Sequence, residues 1–139
     1  MILTYTEKMT ADEYNELRIS VDWKALTSGQ AERGLANTTF LVAARDGEKI
    51  VGMGRMLFDF GYTAYLGDVI VRPEYQGQGI GTMIVTALKD KVMEAAEPGD
   101  KIMFILVAAK GKEAFYEQFG FKKRPNDFNG SGMSMWREK

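Results

Sequence analysis

The chain contains no cysteine and no histidine. The first absence removes disulfides, thiolate nucleophiles and cysteine-held zinc. The second removes Ser-His catalysis and histidine-held metals, so no metal is expected. Whatever chemistry the chain performs must run on carboxylates, tyrosine, lysine, backbone amides and water. Charge of one sign is missing too: 18 Lys and Arg against 19 Asp and Glu leave a net charge of −1, which gives no electrostatic footprint for nucleic acid. The densest basic run, Lys122-Lys123-Arg124, is too short to anchor a chain to a membrane by itself. Long apolar runs are lacking as well. The longest, Ile102 to Ala109, falls far below the roughly 20 residues of a membrane span. The opening residues, MILTYTEKMTADE, have neither the basic start nor the apolar run of a signal peptide. The expectation is a cytoplasmic protein with no membrane and no nucleic-acid partner.

What is present suits one ordinary globular domain over residues 1–139. Hydrophobic residues make up 45% and charged residues 27%, and a chain of this length buries roughly two-thirds of its unfolded surface without staples. Residues 2–6 read as a short edge strand. Thr10, with Glu13 three residues on, marks a capped helix start, and Met9 can staple onto Tyr14; Tyr14, Leu17 and Val21 then share one helical face. Residues 28–36 read as a weaker helix, lowered by Gly29 and Gly34. Two β-prone runs, Thr39 to Ala44 and Ile50 to Phe58, flank Asp46-Gly47, a hairpin turn signal. A third strand, Tyr65 to Val71, stops at Pro73. After the glycine-rich stretch 76–81, an apolar stripe of Ile80, Ile84, Leu88 and Val92 predicts a helix to about Ala96. Ile102 to Val107 lacks alternation and suits a strand buried on both faces. A short helix from about Lys112 ends at Gly120, a left-handed cap. Residues 121–124 and 132–137 are expected to pair as a last hairpin. The order predicts an α/β fold of the α+β kind: a central mixed, mostly antiparallel sheet with helices on both sides.

The sequence Gln76-Gly77-Gln78-Gly79-Ile80-Gly81 joins the end of a strand to the start of a long helix. Such a turn presents unpaired backbone N–H groups with the positive end of the helix dipole, a cradle for a diphosphate. Glycines at 77, 79 and 81 would let a ligand approach the backbone. A nucleotide-binding loop of the Walker kind would need Lys followed by Ser or Thr, and Ile80-Gly81-Thr82 has no lysine. The dinucleotide fingerprint fails at Thr82 and would need a βαβ context. A glycine turn that binds nothing is the plain alternative.

The stretch from Val71-Arg72-Pro73 through Gln76-Gly77-Gln78-Gly79-Ile80-Gly81 resembles the signature of the GNAT superfamily of acetyl-CoA-dependent N-acetyltransferases. A second family feature, Phe-Tyr-x-x-x-Gly-Phe, stands at Phe115-Tyr116-Glu117-Gln118-Phe119-Gly120-Phe121. The two occur at the family's usual separation, and the element order is similar along nearly the whole chain. The resemblance implies acetyl-CoA as co-substrate, its pyrophosphate held by the amides of Gln76, Gly77, Gln78, Gly79, Ile80 and Gly81. It also implies that backbone groups of Val69, Ile70 and Val71 run alongside the pantetheine arm. Where many members carry Asn seven residues before the Tyr, this chain has Ala109; Lys110 or Lys112 could replace that contact or meet the 3′-phosphate, or both could be solvated surface.

Without Cys or His, direct attack of an amine on the thioester is the route left. An alkylamine of pKa ~10.4 costs ~4.6 kcal/mol to deprotonate at neutral pH, so a proton acceptor would help. Asp68 stands where many members carry an acid, on a strand face expected to hold Leu66 and Ile70; a structural pair with Arg55 is the equal alternative. Glu74 and Asp59 are weaker candidates. Backbone N–H groups around Val69 to Val71 would stabilise the oxyanion. Tyr116 matches the family's general acid, the alternative being a packed aromatic. Trp23, Phe58, Phe60, Tyr62, Phe128 and Trp136, interleaved with Asp22, Asp59 and Asp127, lie in segments expected to wall an acceptor side suited to a cationic small-molecule amine, core packing being the better reading for any one of these aromatics. A peptide acceptor and a non-catalytic acyl-CoA-binding module remain alternatives. The sequence does not give the oligomeric state; homodimers are common in this family and among soluble proteins.

Overall fold

A computed structural model describes residues 3–139. The sheet has five strands in sequence order: β1 (Leu3–Thr6), β2 (Phe40–Asp46), β3 (Lys49–Phe58), β4 (Thr63–Val71) and β5 (Met103–Leu106). All neighbours run antiparallel except β4 and β5, which are parallel. Ile2, the first residue of the predicted edge strand, lies outside the described residues. The β2–β3 hairpin turns at Gly47, whose φ of +62° is the left-handed conformation an Asp-Gly turn provides.

Two helices cover one face. Helix α1 (Ala11–Ser20) starts in a reciprocal cap: Thr10 Oγ1 accepts from the Glu13 N–H at 3.1 Å, and Glu13 Oε1 accepts from the Thr10 N–H at 2.9 Å. Helix α2 (Ser28–Ala36) starts at Thr27, whose hydroxyl accepts from the Gln30 N–H at 3.2 Å. Tyr14, Leu17 and Ala31 bury against Ala43, Ile50, Met53 and Ile70. On the other face, α3 (Ile80–Ala95) lays Ile80, Ile84, Val85, Leu88 and Val92 on Val42, Ala44, Val51 and Leu66. The predicted stripe is that face. The helix lies so close that a Cβ on Gly54 of β3 would collide with Ile84 and come within 2.8 Å of Leu88 Cδ1. Among the described residues, no helix is long and apolar enough to cross a membrane.

One irregularity shapes everything downstream. Arg55 of β3 opposes Asp68 of β4, and the next residue, Met56, opposes Leu66, so Gly67 is an extra residue in β4. Such a bulge resets the two-residue alternation of a strand. Leu66 therefore packs under α3, whereas Asp68 and Ile70 face α1. The expectation that Leu66, Asp68 and Ile70 share a face is corrected by this inserted residue. The pairing of β4 with β5 ends at the same point, with Leu66 opposite Leu106.

Two further expectations fail near the C-terminus. No strand follows Leu106 among the described residues, so the last hairpin is absent and β5 is an edge strand; its faces are not fully covered either, since Met103 is exposed and Phe104, Ile105 and Leu106 are half-buried. Local bonds compete with that hairpin. Asn126 Oδ1 accepts from the N–H groups of Phe128 and Asn129 at 3.0 Å each, and Arg124 Nε donates to the Gly130 carbonyl at 2.7 Å. Helix α4 (Glu113–Glu117) is short, and the chain leaves it through Gly120 at φ +98°.

Candidate functional site

Beyond the bulge, β4 and β5 part, and a cleft of about 910 Å³ opens between them. One wall is Leu66 to Val71. The other is Leu106 to Ala109 with Phe115 and Tyr116, and the floor reaches the glycine turn and the first turn of α3. The volume lies at the upper end of the ordinary range for ligand pockets.

At the cradle, Gly77 (φ +78°) and Gly79 (φ +83°) both adopt the left-handed conformation that other residues enter at a cost. Gly79 caps α3 without a side-chain acceptor. Met83 is the first residue of α3 whose N–H reaches back to a helical carbonyl, that of Gly79 at 3.0 Å. The N–H groups of Ile80, Gly81 and Thr82 precede it and are free of intrahelical bonds, as the geometry of a helix start requires. Gln76 folds back, Nε2 donating to the Val71 carbonyl at 2.9 Å. Gln76, Gly77, Gly79, Ile80 and Gly81 line the cleft; Gln78 is not part of the lining. Gly81 has a different reason from its neighbours: a Cβ there would stand 3.1 Å from the Phe115 ring, so its role is close packing of α3 against α4. Val69, Ile70 and Val71 line the cleft, and their edge of β4 has no strand partner among the described residues.

Asp68 lines the same cleft with a side chain only 12% exposed. Its Oδ2 takes Arg55 Nε at 2.8 Å and a short hydrogen bond from the Tyr14 hydroxyl. Arg55 is itself held by Thr38 Oγ1 at 2.9 Å and the Gly34 carbonyl at 3.3 Å. Oδ2 is thus committed to the fold while Oδ1 makes no hydrogen bond to the described residues. Asp68 is thus paired with Arg55, the structural alternative, and it also lines the cleft. Burial, and then the charge of Asp68, push the Tyr14 phenol upward. Sequence reasoning treated Tyr14 only as a core residue; a buried phenol needs an acceptor, which was the available signal.

Tyr116 lies across the cleft. Its ring meets Phe115 edge-on at 5.0 Å and Phe121 at 6.1 Å. Burial and then the negative field of Asp68 push its phenol up to about 12. Tyr116 thus lies within the field of Asp68, and both line the cleft. Ala109, Lys110 and Lys112 join the β5 wall.

The expected acceptor wall is mostly elsewhere. Asp22 and Trp23 do line the cleft, on the turn that leaves α1, where Asp22 takes φ +63° and Arg18 stacks over the Trp23 ring at 5.5 Å. Phe58 is core, and Phe60 and Tyr62 belong to the β3–β4 turn, at the other end of β4 from the cleft. Asp59 caps that turn, accepting from the Gly61 N–H at 2.8 Å. Phe128 and Trp136 are more than 90% exposed and Asp127 is exposed beside them, because the last hairpin does not form. Glu74 is exposed and pairs with Lys49 at 3.5 Å, outside the cleft.

Comparison with known proteins adds independent findings. A family model described as acetyltransferase (GNAT) domain matches residues 36–123, from the end of α2 past α4. An uncharacterized N-acetyltransferase, ycf52, of Pyropia yezoensis is 26% identical over 132 residues, covering 92% of this chain and 74% of that protein. A GCN5-related N-acetyltransferase 2 of Arabidopsis thaliana, named as chloroplastic, is 37% identical over 83 residues, which are 60% of this chain but only 31% of that protein. A Glycine max protein named histone acetyltransferase TAP1 is 32% identical over 83 residues, covering 60% of this chain and 34% of that one. Among solved structures, a probable acetyltransferase of meticillin-resistant Staphylococcus aureus superposes with a TM-score of 0.87 at 28% identity, over 98% of this chain and 100% of that one.

Proposed function

Because the chain belongs to the GNAT acetyltransferase family, we propose that it transfers the acetyl group of acetyl-CoA directly to the amine of a small molecule. The observation that carries this reading is the continuity of one cleft. It runs from the left-handed glycines at the start of α3, along the unpaired edge of β4, to Asp68 and Tyr116.

Each part fits a demand of that reaction. The free N–H groups at the start of α3, with the helix dipole behind them, suit a pyrophosphate. The open edge at Val69, Ile70 and Val71 suits the amide groups of a pantetheine arm, and the same N–H groups suit a developing oxyanion. Lys110 and Lys112 suit the remaining phosphate. The glycine geometry favours this cradle: nothing lies within 4 Å of a Cβ built on Gly77 or Gly79, so the space before them is open.

Asp68 Oδ1 is the proposed proton acceptor for the amine, through water. Arg55 and Tyr14 fix its orientation through Oδ2 and leave Oδ1 to the cleft. Tyr116 is the proposed donor to the departing thiolate. At about 12 the phenol lies about 3.5 units above a free thiol, so full transfer from it is uphill by about 5 kcal/mol. Its contribution is therefore a hydrogen bond to sulfur as charge develops, with water completing the protonation. Asp22 and Trp23 at the mouth suit a cationic acceptor. The cytosol stays the proposed compartment; the relative named as chloroplastic makes a plastid the alternative that fractionation separates.

A panel of small amines and lysine peptides, incubated with acetyl-CoA and read by mass spectrometry, tests the reading. Acetylated small amines are the expected product. Acetylation of peptides alone would replace the acceptor class, a result the relative named as a histone acetyltransferase makes worth seeking. Coenzyme binding without any acetylated product would make the chain a binding module.

A further inference from the structure

Helix α1 ends in a left-handed turn of the kind that usually carries glycine. The Trp23 N–H donates to the Arg18 carbonyl at 2.9 Å and the Asp22 N–H to the Ile19 carbonyl at 3.0 Å, the paired closure of a helix C-terminus. Asp22 holds the left-handed place in that closure, at φ +63°. Glycine enters this conformation with no Cβ penalty, and asparagine is the usual second choice. Among the described residues, six of the eight at positive φ are glycine, and the other two are Asp22 and Phe60. A charge therefore stands where the fold alone is better served by glycine.

Its surroundings give that charge no structural partner. Among the described residues that line the cleft, the acids are Asp22 and Asp68. Asp68 is nearly buried and held by Arg55 and Tyr14, whereas Asp22 is exposed and forms no ion pair among the described residues. Arg18, on the same turn, lays its guanidinium over the Tyr14 and Trp23 rings at 5.7 and 5.5 Å and donates through Nε to the Lys24 carbonyl at 2.8 Å. The turn itself is pinned to α1. The Asn15 side chain donates to the Leu26 carbonyl at 3.0 Å and accepts from the Leu26 N–H at 2.8 Å, so the segment carrying Asp22 is closed at both ends. A strained residue persists where its surroundings over-determine it, and this one is held at the mouth of the cleft.

The two acids have different work to do. An attacking amine must be neutral, and its proton is the business of Asp68. A carboxylate at the mouth attracts a neutral nitrogen little; it attracts one that stays charged, as an alkylammonium of pKa ~10.4 does at neutral pH. We propose that Asp22 determines acceptor specificity and that the acceptor is a diamine, with one nitrogen at Asp68 as nucleophile and the other at Asp22 as ammonium. The first ammonium loses a proton to water by way of Asp68. Its nitrogen then forms the C–N bond to the acetyl carbon as the C–S bond breaks, and the second proton it sheds goes to the thiolate. The other ammonium keeps its charge throughout. Which end reacts rests on the acetyl-transfer reading; the hold of Asp22 on a second cation does not.

Calorimetry with coenzyme A in place of acetyl-CoA reads acceptor binding without turnover. A five-carbon α,ω-diamine should bind more tightly than the monoamine of equal length by about three- to fivefold, the range of an exposed ion pair. Added salt should narrow the gap. With acetyl-CoA, the same preference should appear in kcat/KM. Asp22→Asn keeps a residue that tolerates the left-handed turn and removes the charge; Asp22→Gly removes the charge and the strain together. Both should abolish the preference while acetyl-CoA affinity holds, and Asp22→Gly should melt no lower than the wild type. Equal binding of the two amines by the wild type, a preference that survives in both variants, or a lower melting temperature for Asp22→Gly would each overturn the proposal. A diamine that binds through Asp22 yet gives no acetylated product would uphold the Asp22 site and sink the acetyl-transfer reading alone.

Discussion

The two halves of β4 differ in register and in partners. From Thr63 to Leu66 the strand has partners on both sides, and Ala64 and Leu66 go into the core beneath α3. From Gly67 to Val71 it keeps β3 but loses β5, and it turns a carboxylate toward α1 and an open backbone edge toward the cleft. Composition separates the halves by one charge, Asp68, which alone does not explain the change of faces. One inserted residue does: it exchanges the faces and steers two parallel strands apart. A site can thus be made from a packing strand by a change in residue count.

Removing that residue should have the largest effect. Deletion of Gly67 would restore the alternation and send Asp68 toward the apolar side of α3 or Leu66 away from it. Loss of the cooperative unfolding transition, or a folded protein without measurable acetyl-CoA binding, is expected by circular dichroism and calorimetry; normal binding would detach the cleft from the bulge. Next comes Gly79→Asp, which places a carboxylate at the cradle and a side chain at φ +83°. Acetyl-CoA affinity should fall well over tenfold, more than about 1.4 kcal/mol, with the fold retained. Unchanged affinity would move the cradle elsewhere.

Tyr116→Phe tests the far wall. A drop in kcat of at least tenfold at constant acetyl-CoA affinity is the pattern of a group used in the transition state. The pH profile has a defined sign. With Tyr116 pushed up to about 12, the donor stays protonated across the usual assay range. kcat/KM should therefore climb from pH 6 toward 9 as the amine or its acceptor loses a proton, without an alkaline fall from this tyrosine. A fall centred below pH 9 in the wild type but not in the Phe variant would contradict that assignment. The smallest effect is expected from Gly67→Ala. A Cβ there has its nearest neighbours at 3.7 Å and the φ is not left-handed, so stability should move by about 1 kcal/mol or less and turnover should stay. A large loss would show that the glycine itself, and not the extra residue, makes the bulge.

Local signals in the sequence were the legible ones. Thr10 with Glu13, Asp46-Gly47 and the Ile80 stripe each act within a few residues and form the cap, the turn and the core face their spacing implies, and the glycine turn leads from β4 into α3. The bulge was legible only in outline. A lone glycine inside a strand pattern marks a candidate irregularity, but its effect depends on what β3 and β5 do beside it. The placement of Phe60, Tyr62, Phe128 and Trp136 around the acceptor failed for a related reason. It assumed a last hairpin, whereas residues 124–130 bond locally, in the Asn126 turn and from Arg124 to the Gly130 carbonyl. Asp68 was half legible: its pairing with Arg55 follows from strand register, whereas the hold of Tyr14 on it comes from a helix 54 positions away.

That hold constrains anyone who would re-engineer the acceptor side. Asp68 is tied to α1 through Tyr14, and through Arg55 to Gly34 and Thr38 at the end of α2. Segment 11–38 is the obvious cassette to exchange for a new specificity, since it carries Asp22 and Trp23 to the mouth of the cleft. A graft at those boundaries would carry off three of the groups that hold the carboxylate and its arginine. A chimera would have to bring its own phenol and its own acceptors for Arg55, or accept a proton relay aimed in the wrong direction.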